Sequence, residues 1–183
     1  CIELPIKLFK PPFSFVFVAN LAPGKNVIYA VKLIEKLVES GLPCTLTILG
    51  DGKERHLLEN YLGNANAGFV SFLGNQDKEI VKKHYLSSHF LILPSNSEGW
   101  PKVVAESMFW GCIPVVTQVS CVPWMLGFGE RGFLLEMELK KDLEMLQKVL
   151  NSNDLLPEMS KKAMKWSRQF TIDKFASEIK KLL

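Results

Sequence analysis

The sequence predicts a doubly wound α/β domain on a parallel sheet of about six strands, and three observations carry that expectation. Six short apolar runs recur along the chain, bounded by Gly, Pro or Asn. Their hydrophobicity is continuous rather than alternating, which suits strands buried on both faces. Segments with apolar residues at helical period fill the gaps, so strand and helix alternate and the crossovers should be right-handed.

The runs are Phe15–Ala19, Thr45–Leu49, Phe69–Leu73, Phe90–Leu93, Ile113–Thr117 and Phe133–Leu135. After the first, Val27, Ala30, Val31, Ile34, Leu37 and Val38 make one apolar stripe, which Gly41 ends. Lys53–Leu62 is the second helix, with Leu57, Leu58 and Tyr61 inward. Asp77–Leu86 is the third, with Asp77 as N-cap. Pro101–Trp110 is the fourth, with Pro at the first helical position and Gly111 at the end. From residue 139 to 183 only helices are expected, near Leu139–Leu150, Leu156–Phe170 and Ile172–Leu183. This makes residues 1–183 one domain with a helical C-terminal extension.

Composition fits a globular domain: 183 residues, 48% hydrophobic and 22% charged. A net charge of +3 is too mild to point to nucleic acid and leaves an anionic small ligand open. No apolar run reaches the roughly 20 residues needed to cross a bilayer. Cys1, Cys44, Cys112 and Cys121 form neither C-x-x-C nor a zinc spacing, so they read as reduced thiols of a cytoplasmic protein. Residue 1 is Cys rather than Met, so the chain reads as a piece of a longer protein.

Ligands of an open parallel sheet bind beyond the C-terminal ends of its strands. The loop after the first run, Asn20-Leu21-Ala22-Pro23-Gly24-Lys25-Asn26, puts Gly and Lys just before a helix. Free backbone N–H groups and the helix dipole favour an anion there, although a turn with a solvated lysine is the plainer reading of these residues alone. Gly50-Asp51-Gly52, after the second run, is a G-x-G without a third glycine. It reads as a tight turn that lets backbone approach a neighbour.

The richest loop follows the fourth run: Pro94-Ser95-Asn96-Ser97-Glu98-Gly99-Trp100-Pro101-Lys102-Val103-Val104-Ala105-Glu106. Gly99 lets backbone come close to a ligand. Glu106 falls inside the helix beside Ala105 and Trp110, which predicts a partly buried carboxylate. Such a group is costly unless hydrogen-bonded, and a ribose offers two adjacent hydroxyls to it. The helix N-terminus at Gly99–Lys102 would face a diphosphate. On spacing alone, two surface glutamates in salt bridges remain an open reading.

At these residues the chain resembles the retaining glycosyltransferases of the GT-B architecture often called group 1, whose C-terminal domain carries an E-x7-E motif. Glu98 and Glu106 match it, and the flanking words match in order: Phe17–Lys25, Leu49–Gly52, Phe72–Gly74, Leu93–Ser95, Gly111–Val116, Gly132–Leu135 and Phe170-Thr171. The resemblance implies a Rossmann-like domain that binds a nucleotide-sugar donor. The acceptor would sit on an N-terminal domain that is absent from this chain. It implies that Glu106 holds the ribose, Glu98 the transferred sugar, and Lys25 the diphosphate. Backbone around Gly99, Trp100 and Pro101 would cradle the donor, and the Gly74-Asn75 loop would approach the base. No metal and no cofactor beyond the donor is implied. The activity implied is hexosyl transfer to an acceptor hydroxyl in cell-surface polysaccharide or glycolipid synthesis, with the isolated fragment inactive.

Two departures stand out. Asn20 occupies the position where the family has an arginine, and supplies no charge; Lys102 is the candidate replacement. Ser120-Cys121-Val122-Pro123-Trp124 stands where relatives have Gly-Gly-x-Pro-Glu, so Trp124 replaces a glutamate in a loop that faces the sugar. Two other readings share these residues: an epimerase acting on nucleotide-sugars with the same architecture, and a non-catalytic binding module. Lys161, Lys162, Lys165 and Arg168 cluster at helical spacing. A solvated face is the ordinary meaning of such a set. Docking at the inner face of an anionic membrane is the functional one.

Overall fold

The structure, a computed structural model, describes residues 7–63, 68–152 and 154–171, with 177, 180 and 181. Its strands are β1 Phe13–Val18, β2 Cys44–Leu49, β3 Val70–Gly74, β4 Phe90–Leu93, β5 Ile113–Thr117 and β6 Phe133–Leu135. They form one sheet in the order β3-β2-β1-β4-β5-β6, and every pairing is parallel. All residues of β4 and β5 are buried, as their unbroken apolar runs predict, whereas no residue of the edge strand β3 is fully buried. The strand order reverses between β1 and β4, the switch point where such sheets bind ligands.

The helices are α1 Val27–Glu39, α2 Arg55–Gly63, α3 Lys78–Ser87, α4 Lys102–Phe109, α5 Val122–Met125, α6 Leu139–Ser152 and α7 Leu156–Ser167. In α1 the predicted stripe is buried through Leu37, and Val38 sits at its margin. Gly41 has φ +87°, the left-handed conformation a helix terminus favours. The Asp77 carboxylate caps α3 by accepting from the Ile80 N–H at 2.9 Å. Pro101 is the N-cap of α4 rather than its first residue. In α2 Leu58 and Leu62 are buried and Tyr61 packs partly buried against the core; Leu57 is 54% exposed, because each residue turns about 100° around the axis from its neighbour. The short α5 was not anticipated. The expected helix Ile172–Leu183 falls almost wholly outside the described residues.

The C-terminal helices join the layers that cover the sheet. α6 packs on α1, and α7 on α4 and β5. Asp142 of α6 is 1% exposed yet satisfied. It accepts from the Tyr29 hydroxyl of α1 and from the N–H groups of Glu136 and Met137 at 2.9 and 3.1 Å. In α7 the Ser160 hydroxyl donates to Gly111 O at 2.8 Å and the Ser167 hydroxyl to Ala105 O. Cys44 and Cys112 are buried, which pushes their thiols up to about 12 and about 11. Cys1 lies outside the described residues.

His89, just before β4, closes the base of the core. Its Nδ1 accepts from the Ser14 N–H at 3.0 Å, and its Nε2 faces Leu8 O at 2.9 Å, so the neutral ring carries its proton on Nε2. Burial is the main cause that holds its pKa below 6.5. Between that folded value and 6.5 the unfolded chain binds more protons, so stability rises with pH. Its contribution should be complete above about 6.5 and lost as pH falls through the folded value. Urea unfolding at pH 7.5, 6.5 and 5.5 should show this decline, and His89→Gln should flatten it.

Candidate functional site

Two loops meet at the switch point. In the first, Pro23–Lys25 form a single 3-10 turn and Asn26 adopts a left-handed φ of 49°. This aims the Asn26 side-chain amide across the crevice, where it donates to Pro94 O at 3.0 Å and to the Asn96 carboxamide oxygen. The Asn96 N–H returns a bond to Gly24 O at 2.8 Å. Held in this way, the Lys25 ammonium reaches Glu98 and donates to Oε1 at 2.6 Å, with the side chains 29% and 12% exposed.

Behind this pair lies a cavity of about 330 Å³, lined by Asn20, Lys25, Glu98, Trp100, Pro101 and Lys102 among others. Six residues singled out from the sequence therefore share one space. Gly99 adjoins it, and a Cβ built there would meet nothing within 4 Å, so the backbone is open to approach. Asn20 is exposed and uncharged, and Lys102 is the second cation on the wall. The Gly50-Asp51-Gly52 turn is a prop. Leu21 N–H donates to Asp51 O and Glu54 N–H to Leu21 O, both at 3.0 Å.

Glu106 is placed differently from expectation. It is exposed, because α4 turns Val104, Ser107 and Met108 inward, and among the described residues no hydrogen bond or ion pair holds its carboxylate. It lines a second cavity of about 390 Å³ between α3 and α4, which shares Val18 with the first. Gly74 and Asn75 line neither cavity; their neighbour Gln76 lines the second. The Gly74 carbonyl is engaged by the Gly50 N–H at 2.8 Å.

The loop after β5 braces the Glu98–Pro101 segment from behind, by a route the sequence hides. The Ser120 hydroxyl and Cys121 thiol both donate to Gly99 O, at 3.2 and 3.1 Å. Trp124 follows, 50% exposed, with its ring centroid 6.1 Å from Trp100 and 5.4 Å from Trp166. Lys161, Lys162 and Lys165 are exposed on α7. Arg168 is turned away from them, donating to Phe109 O at 3.2 Å over the Phe109 ring. Among the described residues no group of three or more His, Cys, Asp or Glu side chains is placed to hold a metal ion. No described helix is long and apolar enough to cross a membrane.

The sequence pattern of the family described as Glycosyl transferases group 1 matches residues 5–166. The chain belongs to this family. An uncharacterized glycosyltransferase of Haemophilus influenzae is 31% identical over 178 residues, covering 93% of this chain and 48% of that protein. One from Methanocaldococcus jannaschii is 24% identical over 168 residues, covering 91% and 46%. The chain thus spans about half the length of these glycosyltransferases. The pneumococcal O-GlcNAc transferase GtfA, solved with UDP and GlcNAc, superposes with a TM-score of 0.82 at 19% identity, covering 94% of this chain and 35% of that one. The glycosyltransferase domain here therefore has the fold of one half of a GT-B enzyme, with Lys25, Glu98 and Glu106 along the switch-point edge of its sheet.

Proposed function

We propose that this domain binds a nucleoside diphosphate sugar and is the donor half of a retaining hexosyltransferase. The observation that carries the reading is the Lys25–Glu98 pair at 2.6 Å across the switch point, on the wall of a cavity shared with Asn20, Trp100, Pro101 and Lys102. A cation and a carboxylate side by side suit a donor with an anionic diphosphate and a hydroxylated sugar. The phosphate oxygens would take Lys25, and the sugar hydroxyls would donate to Glu98. Glu106, on the wall of the adjoining cavity and without a partner among the described residues, would accept from the ribose hydroxyls.

In the reaction, the bond from the anomeric carbon to the diphosphate oxygen breaks. A bond from an acceptor hydroxyl oxygen forms to the same carbon on the same face, and the hydroxyl proton leaves with the nucleoside diphosphate. Negative charge grows on the departing diphosphate, where Lys25 and the N-terminus of α4 stabilise it. No side chain is assigned as a covalent nucleophile. The acceptor would be held by the other half of the protein, so this chain alone should bind donor but transfer little. Cell-surface polysaccharide or glycolipid synthesis is the pathway class proposed, and UDP with GlcNAc in the pneumococcal relative makes UDP-sugars the first donors to try.

Calorimetric titration with UDP, GDP and ADP is the direct test. One of the three should bind at millimolar concentration or below. Glu106→Ala should weaken it by about tenfold, the worth of one or two charge-assisted hydrogen bonds. If none binds and Glu106→Ala changes nothing, the domain is not a donor site.

A further inference from the structure

We infer that the Tyr85 hydroxyl is a second contact for the ribose of the bound nucleotide, donating to a sugar hydroxyl that in turn donates to Glu106. This rests on the nucleotide reading above and adds a residue to it. Tyr85 is 1% exposed, and among the described residues its hydroxyl has no hydrogen-bond partner. A buried hydroxyl with nothing to bond is destabilising, and native proteins rarely leave one without a ligand or a water to meet it.

The surroundings say what would meet it. Tyr85 and Glu106 line the same cavity of about 390 Å³, with Val18, Gln76, Lys78 and Trp110 around them. α3 starts at the C-terminal edge of the sheet, the edge that carries the switch-point loops. Helical side chains lean toward the N-terminus of their helix, so the long Tyr85 ring leans up toward that edge. Its backbone is pinned, because the Lys7 ammonium donates to the carbonyls of Tyr85 and Ser88 at the end of α3. Burial first and the Glu106 carboxylate second raise the phenol's pKa well above its ordinary value, so it is a proton donor throughout the working range. Across the groove stands the acceptor-only carboxylate of Glu106, which has no partner among the described residues. A donor and an acceptor on side chains that line one cavity, neither partnered among the described residues, fit a group that can accept from one and donate to the other, as a ribose hydroxyl does.

Tyr85→Phe removes only the oxygen and tests this. Its melting temperature should be unchanged or raised, because no protein bond is lost. Its affinity for whichever of UDP, GDP and ADP the chain binds should fall about tenfold, the range of one hydrogen bond made without water to compete. With the 2′-deoxy or the 3′-deoxy form of that nucleotide, whichever lacks the contacted hydroxyl, Tyr85→Phe should lose nothing further. Equal affinity of both proteins for the ribonucleotide would mean that water satisfies the phenol, and would overturn the inference. An equal loss against both deoxy forms, or a clear drop in melting temperature, would assign the hydroxyl a structural role and overturn it as well. Lys25→Ala separates the two levels. If it weakens binding while Tyr85→Phe does not, the nucleotide reading stands and only the ribose contact fails. If no nucleotide binds to any form, both fall together.

Discussion

Lys25→Ala is expected to weaken nucleoside diphosphate binding by about 10- to 100-fold, the worth of a charge-assisted contact to phosphate, whereas Glu98→Gln should tighten it. The opposite signs follow from one distance. In the free protein the ammonium is already engaged by Glu98 at 2.6 Å, so an incoming phosphate must take Lys25 from its partner and approach a carboxylate of its own sign. The pair is partly exposed, and pairs of that kind are worth about 0.5–1 kcal/mol. Releasing it should therefore improve affinity for free UDP, GDP or ADP by roughly two- to fivefold. The nucleotide-sugar behaves differently, since Glu98 then receives sugar hydroxyls in exchange for Lys25. For Glu98→Gln the ratio of sugar-nucleotide to nucleotide affinity should fall, and transfer by a protein carrying both halves should fall with it. Titrating wild type, Lys25→Ala and Glu98→Gln with a nucleoside diphosphate and its sugar ester measures all of this. Glu98→Gln weakening the free nucleotide as much as Lys25→Ala does would show that Glu98 organises the loop rather than competing with phosphate.

This exchange could not be read from the chain alone, although both residues could. Lys25 and Glu98 are 73 positions apart. They meet because β1 and β4 are neighbours at the point where the strand order reverses, a fact about crossover direction rather than about either loop. The strands were legible for a simple reason. Segments such as Phe90–Leu93 and Ile113–Thr117 are buried on both faces, and their one polar residue, Thr117, stands at the very end of its run. Helix faces were legible where the stripe was long, as in α1, and less so in α2, where Leu58, Leu62 and the partly buried Tyr61 face the core but Leu57 does not.

The largest misreading, that of Glu106, has the same origin. Its neighbours Ala105 and Trp110 are only partly buried, and the inward face of α4 is Val104, Ser107 and Met108. A carboxylate on the opposite side is exposed, which suits a group meant to meet a ligand and removes the expected burial. Tyr85 was invisible for a further reason. A tyrosine near the end of an amphipathic helix reads as core, and the ring is indeed buried. That its oxygen lacks a partner among the described residues depends on what β1 and α4 bring to the same cavity, Val18, Glu106 and Trp110, and no local pattern encodes that.

Gly50→Ala should be the most damaging single-methyl change at this edge, and it tests whether the site loops are held from behind. A Cβ built on Gly50 falls 1.8 Å from Ala19 O and 2.8 Å from Ala19 C, against backbone rather than a side chain that could swing aside. Gly50 also sits at φ +143°, where a side chain is strained whatever the space. Relief would need Ala19 to retreat, yet Ala19 N–H is bonded to Leu49 O at 3.2 Å, and Gly50 N–H to Gly74 O at 2.8 Å. The C-terminal ends of β1, β2 and β3 are tied together by these two bonds, at Leu49 and at Gly50. A clash with no soft partner puts the cost at about 3–5 kcal/mol, or roughly 6–20 °C in melting temperature for a domain of this size. The displaced segment leads directly into Asn20 and Lys25, so any folded fraction should also lose nucleotide affinity. Gly24→Ala is the control: it lies in the same loop, has no positive φ, and its Cβ would meet nothing within 4 Å. Its melting temperature should stay within about 2 °C of wild type, as expected of a surface change that costs no more than 0.5 kcal/mol. Matching losses in the two variants would mean that the first loop is sensitive to any added side chain, and that Gly50 is no special prop.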